Sequence, residues 1–379
     1  MSLQPIREEI DRIDDQLVEL FKSRMECSRK VAEYKQEHGM EIFNKEREEQ
    51  LLGKVQENAG IYGDSARQLY STILELSRAL QHDMVGSGRN LKNQIFSAEN
   101  VIPRENENIK VACFGVEGSY ANQATMRSFP NCKPDFYASF QDIFSAICNG
   151  QADFGVVPIE NSSAGSVTDV YDLMLKYRFY IAMVVDIPIN HVLAMKKGAS
   201  ALNLKKVYSH QQALSQCSDF FRSRRNILGE TYISTAAAAK MVSESDDLTI
   251  GAICSEQAAE KYGLEIVLRG FQNNPNNTTR FLIISKKLYI DESAEKISVC
   301  FSLPHKTGSL YSVLCRFAVN GLNLTKIESR PMFGTAFEYL FYVDFTGNVN
   351  NKRALKLICA LSEELSEFSF LGNFKEILY

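Results

Sequence analysis

The sequence predicts a multidomain protein that passes from an all-α segment to an α/β segment and ends in a small α+β unit. Three observations predict it. Apolar residues recur at helical spacing from about residue 4 to 82, and short apolar runs alternate with helical patterns from 109 to about 286. Residues 296–379 then read strand, helix, strand, strand, helix, strand, the βαββαβ order of a ferredoxin-like unit. A chain of 379 residues has room for two or three domains that each bury a core. Its net charge of −4 argues against nucleic acid or an anionic membrane as the main partner. No apolar run approaches the roughly 18 residues of a membrane span. Charges close behind Met1 argue against a signal peptide. Nine scattered cysteines, without a C-x-x-C pair or nearby histidines, read as reduced thiols of a cytoplasmic protein and give no sign of a metal site.

Residues 4 to about 37 read as one long helix. Ile6, Ile10, Ile13, Leu17, Leu20, Phe21, Val31 and Tyr34 fall at three- and four-residue steps, and no Gly or Pro interrupts them before Gly39. Two more helices follow, about Lys45 to Asn58 and Ser65 to His82. Three helices, one of them roughly 50 Å long by its rise per residue, do not close a compact core alone. The segment calls for a second copy. Arg24 and Lys35 share a face about 16 Å apart, and Arg7 lies about 25 Å before Arg24. One small substrate cannot touch Arg7 and Lys35 of the same helix, so a functional Arg7 must serve the partner subunit's site. The plain alternative is three solvated surface charges.

These residues resemble the all-helical chorismate mutases at the front of bifunctional P-proteins. The matching positions are Arg7 in IREEID, Arg24, Lys35 in VAEYK, Arg47 and Glu48 in NKEREE, and Ser77 and Gln81 in ELSRALQ. The resemblance implies an intertwined dimer in which Arg24 and the other subunit's first arginine hold the two chorismate carboxylates. It implies that Lys35 and Gln81 donate to the ether oxygen, that Arg47 and Ser77 support them, and that Glu48 takes the ring hydroxyl. The rearrangement is pericyclic, so it needs a compact conformer and donors where negative charge develops, with no cofactor and no nucleophile. Asn44 stands where the family usually has an acid. An amide still accepts a hydrogen bond, so weaker hydroxyl recognition is expected; a degenerate mutase is the alternative.

From Met84 to Asn108 the periodicity lapses, and Gly86, Gly88 and Pro103 mark a linker with some order around Leu91 to Phe96. Beyond it, strand-like runs lead into helices through Ser, Thr, Asn or Gln, and mainly parallel strands are expected. The stretch Gly155 to Met174, GVVPIENSSAGSVTDVYDLM, is the most telling of these. A strand, a hydroxyl- and amide-rich turn and a helix in that order aim donors at a small anion. A capped turn needs the same residues, but Glu160 has little structural purpose there. Gly115 and Gly118 are too close for a dinucleotide fingerprint and lack its third glycine.

Taken together, GVEGSYANQA, VVPIENSSAGSVTDVYDLM, YSHQQALSQC, STAAAAK and NNTTRFLII resemble prephenate dehydratase, with Thr279-Arg280-Phe281 the most specific short mark. The resemblance implies two α/β lobes like the type II periplasmic binding proteins. The chain would cross between them near Asp186 and return near Phe271. It implies active-site roles for Glu160, Asn161, Gln216 and Thr279, and ligand-positioning roles for Ser119, Ser209 and Arg280. His191 and His210 read as structural. Prephenate loses carbon dioxide and its ring hydroxyl, so the protein must hold two carboxylates and help hydroxide leave as water. Thr279 would stabilise the leaving oxygen, and Glu160 could give a proton only if burial raises its pKa.

The last unit resembles the ACT regulatory domain of P-proteins through Gly308-Ser309-Leu310, where the family commonly has Gly-Ala-Leu, and through Glu328-Ser329-Arg330-Pro331. In the family these motifs line a phenylalanine site shared between subunits. The expectation is a helical mutase at 1–83, a linker at 84–108, a dehydratase at 109–289 and an ACT domain at 290–379. Such a chain would act on chorismate and prephenate, answer to L-phenylalanine, and form a homodimer or larger homo-oligomer. A small-molecule sensor with the same cleft and no turnover is the alternative from another class.

Overall fold

Helical periodicity at the front of the chain becomes α1 (Gln4–Glu37), α2 (Lys45–Asn58) and α3 (Gly63–Val85). The computed structural model describes residues 3–332 and 338–378. It divides into two units, Met1–Ser97 with Ile297–Phe370, and Ala98–Lys296 with Leu371–Tyr379. On α1 only Ser28 and Ala32 are buried. Its apolar residues Ile6, Ile10, Ile13, Leu17, Val18, Leu20, Phe21 and Val31 are exposed. Asn44 caps α2, its side-chain oxygen accepting from the Arg47 N–H at 3.0 Å. Helix α3 ends at Gly86, whose φ of 70° lies in the left-handed region that glycine adopts readily. The stretch expected to be a linker contains a further helix, α4 (Arg89–Phe96), because Leu91 and Ile95 recur at helical spacing and are buried.

The second unit opens with β1 (Val111–Phe114), α5 (Tyr120–Ser128), β2 (Asp135–Tyr137), α6 (Phe140–Cys148), β3 (Phe154–Asn161), β4 (Gly165–Ser166), α7 (Thr168–Tyr177) and β5 (Tyr180–Pro188). The chain then crosses into a second sheet. It contributes β6 (Val192–Met195), β7 (Lys206–Ser209), α8 (Gln211–Gln216), α9 (Ser218–Ser223), β8 (Leu228–Thr231), α10 (Thr235–Glu244), β9 (Ile250–Cys254), α11 (Glu256–Lys261) and β10 (Glu265–Arg269). It returns as β11 (Thr278–Ser285). The first sheet runs β5-β11-β3-β1-β2 and the second β10-β6-β9-β7-β8. Neither is mainly parallel. β11 is antiparallel to both β3 and β5, and β6 is antiparallel to β9 and β10. β11 comes back from the second lobe and enters the first sheet from the opposite end, between two strands already in place. The side-chain oxygens of Ser119, Ser139, Ser234 and Ser255 cap α5, α6, α10 and α11, as the strand-to-helix junctions predict. Gly155 is required by packing: a Cβ there would stand 2.7 Å from Ile143 Cγ2 and 2.8 Å from Ile147 Cδ1 of α6.

The end of the chain supplies β12 (Lys296–Leu303), α12 (Ser309–Val319), β13 (Leu324–Pro331), β14 (Tyr339–Thr346), α13 (Lys352–Glu364) and β15 (Ser369–Ile377), in the expected βαββαβ order. Phe337, read as part of the third strand, lies outside the described residues. The order β13-β14-β12 leaves β13 at an edge. Lys375–Ile377 of β15 pair in parallel with Met183–Val185 of β5. Helices α12 and α13 pack against α3, and α13 packs against α4. The supposed linker is therefore partly a structural member of the first unit.

Candidate functional site

Two clusters gather the sequence-predicted residues. In the helical one, Ser28 Oγ and Ser77 Oγ are 2.6 Å apart and tie α1 to α3. One turn along α3, Gln81 Nε2 donates back to the Ser77 carbonyl at 3.2 Å. Gln81 Oε1 and Arg24 Nη1 are buried without a hydrogen-bond partner among the described residues. An orphaned guanidinium nitrogen and an amide oxygen beside paired hydroxyls suit a polar, anionic ligand. Lys35 Nζ donates to the Ile42 carbonyl at 2.5 Å. Burial lowers its pKa; the Glu48 carboxylate opposes that and the Arg78 charge adds to it. Glu48 accepts from Arg78, and burial nevertheless raises its carboxyl above the usual value. Arg47 is exposed, with its backbone N–H given to the Asn44 cap. Arg7 is exposed near the far end of α1 and is not brought to this cluster by its own chain.

The second cluster sits where β3 ends and β11 begins, beside the second lobe. Asn161 pairs with Thr279 across the ladder, and Asn161 Nδ2 donates to Thr279 Oγ1 at 2.8 Å and to Asn277 Oδ1 at 2.9 Å. Its Oδ1 accepts the backbone N–H groups of Ser163 and Ala164, each at 3.0 Å, which fixes the amide orientation. The Thr279 oxygen thus accepts from Asn161 and keeps its own O–H to donate. Gln212 Nε2 reaches Asn161 Oδ1 from the second lobe at 3.4 Å. Gln216 Oε1 lies 3.0 Å from His191 Nε2, and His191 Nδ1 lies 3.1 Å from the Tyr120 hydroxyl. Burial lowers the His191 pKa against the Gln216 bond, so the ring is neutral at pH 7. A neutral ring donating from Nε2 to Gln216 leaves Nδ1 as an acceptor beside the Tyr120 hydroxyl, which also donates to the Asn190 carbonyl at 2.9 Å.

Several expectations need correction. The hydroxyl-rich turn after β3 does not cap the following helix: Val167 is the N-cap of α7 and makes no side-chain bond. A two-residue strand, β4, intervenes, and Asn161 organises the turn instead. Glu160 pairs with Arg280 in the ladder, one residue from Asn161 and Thr279, so it faces the other side of the sheet. Arg280 forms a two-pronged bond with Asp186 at 2.9 and 3.1 Å and lies 3.6 Å from Glu376, so its guanidinium is already occupied. Ser209 is wholly buried and donates to the Ile253 carbonyl at 2.7 Å. Ser119 caps α5. His210 caps α8 by accepting from Gln212 N–H, in keeping with a structural role.

In the C-terminal βαββαβ unit, Gly308 is the N-cap of α12 with φ 85°, and Ser309 and Leu310 open the helix. Glu328, Ser329, Arg330 and Pro331 finish β13 and pair with Tyr342, Phe341, Leu340 and Tyr339. The rings of His305 and Tyr339 lie 6.3 Å apart, which brings the turn before α12 to the Pro331 end of that ladder.

A prephenate dehydratase family model matches residues 111–288, and a chorismate mutase type II model matches residues 6–82. The bifunctional chorismate mutase/prephenate dehydratase of Aquifex aeolicus is 32% identical over 381 residues, covering 100% of this chain and 99% of that one. The chain belongs to the bifunctional chorismate mutase/prephenate dehydratase family. The enzyme of the same description from Neisseria gonorrhoeae is 30% identical over 376 residues, covering 98% of this chain and 96% of that one. The structure of a prephenate dehydratase from Arthrobacter aurescens in complex with L-Phe is 28% identical with a TM-score of 0.65, over 70% of this chain and 90% of that one.

Some residues of these two clusters escape a reading of motifs. Asn277 is 2% exposed and receives bonds from Asn161 and from Ser162 Oγ at 3.3 Å. It stands within NNTTRFLII, two residues before Thr279, where an asparagine reads as part of a turn. Arg78, one residue after Ser77, grips Glu48 and Glu75. A charged residue on the apolar face of α3 was the available clue. Among the described residues no helix is long and apolar enough to cross a membrane.

Proposed function

We propose that the first cluster rearranges chorismate to prephenate and that the second converts prephenate to phenylpyruvate. The observation that carries the dehydratase assignment is the Asn161 Nδ2 to Thr279 Oγ1 bond, which leaves the threonine O–H free to donate to a departing ring hydroxyl. A neutral hydroxyl so placed stabilises the leaving oxygen, while aromatisation drives the loss of carbon dioxide. Gln216, oriented by His191, and Gln212 would contact the substrate from the second lobe of a binding-protein-like cleft. In the mutase, the unpartnered Arg24 Nη1 would take a carboxylate and Lys35 and Gln81 the ether oxygen, supported by Ser77 and Arg47. Glu48 would accept from the ring hydroxyl.

The second chorismate carboxylate would meet Arg7 of a second copy. The row of exposed apolar residues along α1 supports that dimer, since a helix with only two buried positions otherwise leaves its apolar side in water. The terminal βαββαβ unit would be an ACT domain. Its Gly308–Leu310 turn and Glu328–Pro331 strand end would form the L-phenylalanine site, with edge strand β13 available to a second subunit. L-Phe in the Arthrobacter aurescens relative supports this reading.

A coupled assay from chorismate to phenylpyruvate, with and without L-phenylalanine, tests all of this together. Both steps should proceed in the purified full chain and fall when L-phenylalanine is added. Chorismate consumption with no phenylpyruvate formed would sink the dehydratase assignment, and turnover indifferent to L-phenylalanine would sink the regulatory one.

A further inference from the structure

Behind the candidate mutase site lies a buried ionic network whose members come from both ends of the sequence. Arg78 of α3 donates to Glu48 of α2 and to Glu75 of its own helix, and its Nε lies 3.3 Å from Glu364 of α13. Arg316 of α12 binds the same Glu364 through two nitrogens at 3.0 and 3.1 Å, and its Nε stands 3.5 Å from Glu75. His82 Nε2 lies 2.5 Å from Glu364, and Ser312 Oγ donates to Glu75 at 2.7 Å. The side chains of Glu75, Arg78, Arg316 and Glu364 are each less than a tenth exposed. The Phe43 ring, 4.9 Å from the Arg78 guanidinium, covers it further.

Simple attachment of one helix pair to another does not call for this arrangement. Buried ion pairs contribute little net stability compared with apolar packing, and they become costly when one member is lost. What they do supply is a fixed geometry. Here three carboxylates, Glu48, Glu75 and Glu364, share two guanidiniums, Arg78 and Arg316. Glu48 takes Arg78 at Nη1, while Glu364 lies against its Nε. If Glu364 were neutral, the Arg78 charge would fall more fully on Glu48 and draw its carboxylate away from the ring hydroxyl. Burial tends to raise the Glu364 pKa, but the His82 bond and the charges of Arg316 and Arg78 override it and hold the group at about 2, ionised at working pH.

We propose that Arg78 is a positioning residue of the mutase, and that Glu364 and Arg316 of the two C-terminal helices set where Arg78, and through it Glu48, stands. The C-terminal region is then part of the mutase machinery as well as a regulatory appendage. Ser312 and Arg316 lie one and two turns beyond the Gly308 cap on α12, so a shift of that helix is delivered directly to Glu75, Glu364 and Arg78. This inference rests on the reading of Glu48 as a mutase site residue.

The test uses the full chain and a double-mutant cycle of Glu48→Gln and Glu364→Gln, with mutase and dehydratase kcat/KM measured on each protein. Glu364→Gln should lower mutase kcat/KM by about tenfold or more while dehydratase kcat/KM stays within about twofold. The double variant should be no slower than Glu48→Gln alone, because Glu364 acts only through Arg78 and Glu48. Additive losses in the cycle, or equal loss of both activities in Glu364→Gln, would assign Glu364 to folding and overturn the proposal. If Glu48→Gln slows the mutase and Glu364→Gln does not, the proposal fails and the site reading stands. If Glu48→Gln has no effect, the site reading fails and takes the proposal with it. Should Glu364→Gln not fold, the charge-balanced pair Arg316→Gln with Glu364→Gln replaces it, with the same expected and overturning outcomes.

Discussion

Arg24, Lys35, Arg47 and Glu48 give the helical site formal charge, and behind it stands a buried network of carboxylates and guanidiniums. The α/β site is built on neutral groups: Asn161 joins Thr279 and Asn277 through its amide, and Gln216 pairs separately with a neutral His191. Arg280, next to Thr279 in sequence, is tied to Asp186 and Glu376 on the other side of the sheet. Both sites are proposed to take dicarboxylates, so the substrate's charge does not explain the difference. The chemistry does. A pericyclic shift offers no leaving group, and its barrier falls when the compact conformer is held and fixed charge meets the developing negative charge on the ether oxygen. An elimination that creates an aromatic ring has its own driving force and needs an oriented donor at the departing oxygen. Fixed charges in a helical bundle need counter-charges, which brings in Glu75 and Glu364. Fixed dipoles at strand ends need only each other.

The comparison can be broken or sharpened by substitution. Lys35→Ala should have the largest effect, lowering mutase kcat/KM by about a thousandfold with the dehydratase untouched, because it removes the charged donor proposed for the developing oxyanion. Thr279→Ala should lower dehydratase kcat by about a hundredfold and leave chorismate consumption intact; a variant with near wild-type phenylpyruvate formation would end the donor role. Asn277→Ala should cost the dehydratase about tenfold, since the Asn161 amide loses one of the acceptors that hold its Nδ2 beside Thr279. The acid stability of the first unit should separate the two sites without any assay. Glu364, held near 2 against a usual 4.5, contributes stability that is fully present above about pH 4.5 and is lost as pH falls toward 2. Urea midpoints across that window should fall for the wild type and flatten for Glu364→Gln. The smallest effect is expected at Ser209→Ala, which should cost about 1–3 kcal/mol of stability for the buried bond to Ile253 and leave both kcat values unchanged.

Much of this was legible in the sequence, for reasons that differ along the chain. The three front helices show in the spacing of Ile6, Ile10, Ile13 and Leu17, because one apolar side must find cover. The βαββαβ order at the end shows because its strands, of eight or nine residues each, are long enough to stand out from the two helical patterns. Strand direction was not legible: nothing in the local sequence Thr279-Arg280-Phe281 says that β11 will insert antiparallel between β3 and β5. Pairing also decides facing, so Glu160 and Asn161, adjacent in sequence, end on opposite sides of one sheet. The ionic network was hidden for another reason. Arg78 and Glu364 are 286 positions apart, and each alone reads as an ordinary helix-surface charge.

The pairing of Lys375–Ile377 with Met183–Val185 carries a practical consequence for anyone dividing this chain. The last residues close one side of β5, the strand that leads into the crossing between lobes. A piece cut to residues 109–289 would keep every proposed dehydratase side chain and still leave β5 with an open row of N–H and C=O groups. Such a row invites the same row on a neighbouring molecule. The tail is a seam cover, and a dehydratase trimmed of it should self-associate before its chemistry can be judged.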